Sequence, residues 1–98
     1  MEIVKNRQGN KLEVALEGRL DTVSAPEFEA VVRGELGGVE LFVLDLANLK
    51  YTSSAGLRTI LLAQKAMNKQ GKLILKNVVE EVMDVFDMTG LSDLLTIE

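Results

Sequence analysis

The sequence predicts an α/β fold built on a mixed sheet, and three observations carry that prediction. Apolar residues alternate with polar ones in Lys11-Leu12-Glu13-Val14-Ala15-Leu16, beyond a Gly9-Asn10 turn, which marks a hairpin with one wet face. Two later apolar runs, Phe42-Val43-Leu44 and Leu73-Ile74-Leu75, each precede a stretch with helical spacing. Strands and helices therefore alternate after the hairpin, so β-α-β units with parallel neighbours are expected beside one antiparallel pair.

Each element has its own signals. Glu2 to Arg7 and Lys11 to Leu16 are the hairpin strands, split by Gln8-Gly9-Asn10. Gly18 to Asp21 is predicted to turn the chain. Ser24-Ala25-Pro26-Glu27 predicts a helix start, with Ser24 as cap, proline in the first turn and an acid after it. Phe28, Val31, Val32 and Leu36 make its apolar face, and Gly37-Gly38 stops it. Val39 to Leu46 is the expected central strand. The second helix runs from Ser54 to Asn68, with Leu57, Ile60, Leu61 and Met67 at helical spacing and Gln70-Gly71 ending it. Lys72 to Lys76 is a short strand, and its consecutive Leu73, Ile74 and Leu75 predict burial on both faces. Val78 to Met88 is predicted as a third helix, with Val78, Val82, Val85 and Phe86 inward and Thr89-Gly90 at its end. Met67, Met83 and Met88 are read as core filler. Leu94, Leu95 and Ile97 indicate a final strand or a docked tail.

Composition excludes several classes of function. Ninety-eight residues are expected to make one domain, residues 1-98, with a single core. The absence of Cys removes disulfides and thiolate chemistry, and the absence of His removes the usual ligands of zinc and most transition metals. No metal site and no cofactor are expected. A net charge of −4 opposes binding to a phosphate backbone. Lys65, Lys69, Lys72 and Lys76 read as a solvated face, because no aromatic is interleaved with them. The first residues lack the apolar core of a signal peptide, and no apolar run reaches the length of a membrane span. A cytoplasmic protein is expected, a monomer when free, with no nucleic-acid or membrane partner.

The stretch between the central strand and the second helix, Lys50-Tyr51-Thr52-Ser53-Ser54-Ala55-Gly56, is the unusual one. Ser and Thr are favoured helix N-caps, but one cap needs one hydroxyl and not three. Gly56 weakens a helix start, yet it lets another backbone come close. The stretch therefore reads as a hydroxyl-bearing helix N-terminus presented at the surface. The plainer alternative is that Ser53 and Ser54 only cap the helix. Catalysis is disfavoured. A Ser-His-Asp arrangement has no His here, and Thr52 stands where a nucleophile elbow wants Gly. Nothing indicates that Lys50 is held neutral as a base. Glu80 and Glu81 are adjacent on a helix and point different ways.

Three segments resemble one family. Tyr51-Thr52-Ser53-Ser54-Ala55-Gly56-Leu57 resembles the signature of STAS domains of the anti-sigma-factor antagonist type. Val85-Phe86-Asp87-Met88-Thr89-Gly90-Leu91 resembles the family's C-terminal helix ending. Leu16-Glu17-Gly18-Arg19-Leu20-Asp21 resembles its turn after the second strand. The three lie in family order and span nearly the whole chain.

The resemblance implies a small mixed β-sheet with helices packed mainly on one face. It implies an anti-sigma-factor antagonist in a partner-switching system, without enzymatic activity of its own. Its partner would be an anti-sigma factor that is also a serine protein kinase, and a serine phosphatase would reverse the mark. The family's regulated serine maps onto Ser54. Well-known members carry Asp at the position of Ser53 and a hydroxyl residue at that of Ala55, so Ser53 stands as an alternative acceptor. Asp21, Thr52, Ser53, Ala55, Gly56, Leu57 and Arg58 are the expected partner-binding residues. Asp21 and Asp45 are expected to lie near Ser54, so a phosphate there would add charge to an acidic surface. Two other functions are kept open: an unphosphorylated STAS interaction module of a transporter or signalling complex, and a small-molecule or nucleotide-binding α/β protein.

Overall fold

The hairpin forms as its alternation requires. In the computed structural model, which describes residues 1–98, β1 (Glu2–Gln8) pairs antiparallel with β2 (Lys11–Leu20). Strand β3 (Leu41–Asp45) lies parallel to β2, and β5 (Lys72–Lys76) lies parallel to β3. The order β1-β2-β3-β5 puts β3 in the interior of the sheet. Helices α1 (Ala25–Gly34), α2 (Ser54–Asn68) and α3 (Glu80–Thr89) complete a mixed α/β fold.

Side chains on a strand point alternately to opposite faces, and here that decides what is covered. Leu12, Val14, Leu16, Phe42, Leu44, Leu73 and Leu75 join Phe28, Val32, Ile60, Met67 and Phe86 in one apolar core. Val43 is buried but stands outside that core. On its face Glu13 of β2 and Lys76 of β5 form an ion pair at 3.0 Å. The helices therefore cover one face of the sheet. Ile74 is half-buried because it points to the uncovered face, which corrects the expectation that β5 is buried on both sides. Its parallel neighbour β3 is as expected.

The middle of the chain departs from the sequence-based expectation in two places. Gly18 does not turn the chain. With φ of 100°, a value that glycine tolerates, it sits at a register shift between Gly18 and Arg19, and β2 runs on to Leu20. The continuation has its own parallel partner, a strand β4 (Leu49–Thr52) that local signals did not reveal. A turn closed by Leu49 N–H to the Leu46 carbonyl, at 3.1 Å, separates β3 from β4.

Smaller corrections follow from local competition. Ser24 stands at the N-cap of α1, but its hydroxyl makes no cap hydrogen bond. It donates instead to the Arg19 carbonyl at 2.7 Å. Helix α3 begins at Glu80, two residues after Val78, and Met88 is 80 % exposed because it lies in the last turn, past the core-facing Phe86. The end of the chain is a docked tail. A 3-10 turn at Leu91–Asp93 is followed by buried Leu95, and one parallel bridge joins Ile97 to Leu75.

Candidate functional site

The start of α2 is fixed by the two short strands that end beside it. Leu20 and Thr52 are in register, and the Ser53 N–H donates to the Leu20 carbonyl at 2.9 Å. Ser53 then takes the extended backbone of an N-cap, with φ of −92° and ψ of 176°. Its Oγ accepts the Gly56 N–H at 3.3 Å, and its carbonyl accepts the Leu57 N–H at 2.9 Å. One hydroxyl therefore supplies the side-chain cap of the helix. Thr52 is 4 % exposed, and its hydroxyl donates to the Ser53 carbonyl at 3.3 Å. Ser54 is the first residue of α2, is exposed, and takes no part in the cap. The three consecutive hydroxyls thus divide into a buried one, a capping one and a presented one.

Gly56 permits the close packing beneath. A Cβ there would lie 2.7 Å from Leu20 Cγ and 2.8 Å from the Leu20 carbonyl oxygen. The first turn of α2 consequently rests almost directly on the end of β2.

The Leu20–Ser53 hydrogen bond also brings the Asp21 turn alongside α2. Asp21 Oδ1 accepts the N–H groups of Val23 and Ser24, each at 3.0 Å, so Asp21 fixes the turn that leads into α1. Arg19 Nε lies 3.9 Å from Asp21 Oδ2. The Ser24 N–H is the main cause that holds the Asp21 carboxyl below its ordinary value of 3.8. The Ser24 hydroxyl, the Val23 N–H and the Arg19 charge act in the same direction, against partial desolvation.

A folded-state pKa lowered in this way favours folding when the group is ionised. That contribution is complete above the ordinary value and is lost as pH falls through the folded value. The native chain and Asp21→Asn should therefore differ most in urea midpoint at neutral pH and converge below about pH 4. Parallel curves across that window would remove Asp21 from this role.

The structure brings Asp21, Ser53, Ser54, Ala55 and Arg58 to one end of the molecule, around the joined ends of β2 and β4. Between α1 and α2 an open groove of about 430 Å³ is lined in part by Thr22, Pro26, Glu29, Ala55 and Arg58. Three of the expected partner-binding residues face inward. Thr52, Gly56 and Leu57, the last at 8 % exposure, are buried and shape the backbone without presenting side chains. The expected nearness of Asp45 to Ser54 is overturned. Asp45 pairs in register with Ala15, five residues along β2 from Leu20, which is roughly 16 Å of strand. Its Oδ1 instead accepts the Ala47 N–H at 3.0 Å and Asn77 Nδ2 at 3.1 Å.

Sequence reasoning missed one feature near the site. The Arg19 guanidinium stacks 4.2 Å from the Tyr51 ring centre on the exposed surface. The two are register partners across β2 and β4, so the pair is invisible until β4 is recognised. No helix is long and apolar enough to cross a membrane.

Known proteins match this architecture. An anti-sigma-B factor antagonist of Staphylococcus epidermidis is 38 % identical over 85 residues, covering 85 % of this chain and 79 % of the relative. The crystal structure of an anti-sigma factor antagonist from Mycobacterium paratuberculosis superposes with a TM-score of 0.87 at 18 % identity, over 98 % of this chain and 83 % of the other. The Bacillus cell fate determinant SpoIIAA, solved in its phosphorylated form, gives a TM-score of 0.78 at 19 % identity, over 99 % and 91 % of the two chains. At these identities the two structures bear on the fold. A model of the STAS domain family matches residues 2–98, and together with the Staphylococcus relative it shows that the chain belongs to the STAS domain family.

Proposed function

We propose that this chain is an anti-sigma-factor antagonist that works by partner switching. It binds an anti-sigma factor that is also a serine kinase, and a phosphate on Ser54 ends the binding. The observation that carries this proposal is the exposed Ser54 hydroxyl at the first position of α2, next to a Ser53 that already serves as the cap. Family membership and the names of the relatives support the antagonist role.

The chemistry asks little of the chain itself. In the kinase, the Ser54 Oγ–phosphorus bond forms as the bond from the ATP γ-phosphorus to its bridging oxygen breaks. ADP leaves, and the hydroxyl proton passes to a base on the kinase. The product carries about −1.5 to −2 charges beside the positive end of the α2 dipole, where the fold tolerates it. Partner contact is assigned to the exposed Arg58 and the half-buried rim beside it, namely Asp21, Ser53 and Ala55. The buried Thr52, Gly56 and Leu57 hold that rim in place. A dianion at its centre breaks complementarity with a surface shaped for a neutral hydroxyl, at a cost of several kcal/mol. A serine phosphatase then resets the chain.

The test uses the kinase captured by this chain from its native cell extract, supplied with ATP. Intact-mass spectrometry should show one added phosphate on the native chain and none on Ser54→Ala. Ser54→Ala should keep its affinity for the kinase, and phosphorylation should lower affinity by about 100-fold or more. Ser54→Asp should weaken binding less, because it carries a single charge and a shorter reach. Phosphate found on Ser53 would move the assignment by one residue. A chain that no kinase in the extract modifies would overturn the switch and leave an unphosphorylated interaction module.

A further inference from the structure

We infer that Arg58 is the counter-charge for a phosphate on Ser54: modification draws its guanidinium onto the start of α2 and withdraws it from the partner. The inference rests on the proposed phosphorylation of Ser54. The two residues are four apart on α2, so they lie one above the other on the same helix face. Helical side chains lean toward the N-terminus, which lays Arg58 over the turn that begins with Ser54. Both are exposed. An acid placed N-terminal to a base at this spacing is the favourable order.

Arg58 is also uncommitted. It enters none of the chain's ion pairs. Glu29, across the groove, is held by Arg33 at 2.8 Å, and Asp21 is faced by Arg19 at 3.9 Å. The next cation along α2 is Lys65, almost two turns further on. A guanidinium also matches phosphate with two parallel N–H donors, which a lysine cannot do. One modification thus has two effects at the contact. It adds negative charge, and it removes the cation that the unmodified surface offers to the partner.

The test builds phosphoserine into position 54 during synthesis, so that no kinase is needed. Phosphorus NMR follows the second ionisation of the phosphate, which falls near pH 6 in an unconstrained phosphoserine. It is measured in the otherwise native chain, in Arg58→Gln, in Arg58→Lys and in Arg33→Gln. Arg58 and Arg33 are both exposed in large part, so the variants should remain folded, and circular dichroism checks that they do. The native value should lie below that of Arg58→Gln by roughly 0.3 unit, the size of a favourable helical pair. Arg58→Lys should recover part of the difference, and Arg33→Gln should stay near the native value. Asp21 and Arg19 are common to all four chains and cancel, and Arg33→Gln, which also frees Glu29 from its ion pair, bounds what that side of the groove contributes.

Coincident titrations of the native chain and Arg58→Gln would overturn the inference. So would a change in Arg33→Gln as large as that in Arg58→Gln, because it would reflect general charge and not this contact. Neither result bears on whether a kinase modifies Ser54. Conversely, a cell extract without such a kinase leaves this measurement unaffected.

Discussion

Replacing Phe42 with alanine should destabilise the chain by about 3–5 kcal/mol and lower its melting temperature by more than about 12 °C. The side chain has 0 % exposure and belongs to an interior strand. Its register partners are Leu12 on β2 and Leu73 on β5, both in the same core. Hydrogen bonds on both edges of β3 hold these neighbours in place, so they cannot close the space that a lost ring leaves. A whole domain is stable by only about 5–15 kcal/mol, so the variant would stand near the edge of folding. Val43→Ala is the control. Val43 is on the same strand but points to the face without helices, and it should cost clearly less. Similar losses for the two variants in thermal denaturation would contradict a one-sided core.

Gly56→Ala is expected to cost about 2–3 kcal/mol, although alanine is the better helix former by about 1 kcal/mol. The added methyl would meet the Leu20 carbonyl, the Leu20 side chain and Thr52 Oγ1. Leu20 cannot withdraw, because its carbonyl accepts the Ser53 N–H and its side chain is fully buried. The helix start must lift away from β2 and β4, carrying Ser54 with it. Gly34→Ala serves as the comparison. That glycine also lies in a helix but has open space around its Cβ position, so the change should be neutral or stabilising by up to about 1 kcal/mol. Urea denaturation of the two variants decides the matter. A stabilised Gly56→Ala would show that helix propensity outweighs the contact with Leu20, and the tight seating of α2 would have to be abandoned.

What was legible in the sequence follows from how local each signal is. The hairpin, the interior strand and the start of α2 are written in short-range patterns: alternation in Leu12-Val14-Leu16, the apolar run at Phe42, and Ser53 before Leu57 and Ile60. Strand β4 is not, since Leu49–Thr52 is a strand only because β2 extends beyond Gly18 to pair with it. The same blindness hid the Arg19–Tyr51 stack and left Asp45 too close to Ser54. Ser24 was read as a cap from the Ser-Ala-Pro-Glu pattern, whereas its hydroxyl turns back to the Arg19 carbonyl and the Asp21 carboxylate holds the turn before the helix through the Val23 and Ser24 N–H groups. The burial of Ile74 was overestimated because an apolar triplet cannot reveal that only one face of its sheet is covered. At the site, the motif located Ser54 and its neighbours. The division of labour among Thr52, Ser53 and Ser54 required the backbone, because three adjacent hydroxyls look alike until their hydrogen bonds are drawn.

The interior place of β3 also governs how the chain reaches this state. Its partners are about thirty residues away in both directions, Leu12 before Phe42 and Leu73 after it. Only the hairpin closes over a short loop, so it can form within microseconds, while the remaining pairings must first close long ones. Such a chain folds more slowly than a helical bundle of its size. During synthesis the order is stricter still. Until the segment beyond residue 72 has left the ribosome, β3 has no neighbour on its second side. The growing half-sheet then exposes unpaired backbone along its most apolar strand, an edge to which other chains can add. The arrival of β5 closes that interval, so its length is set by how quickly about thirty residues are translated.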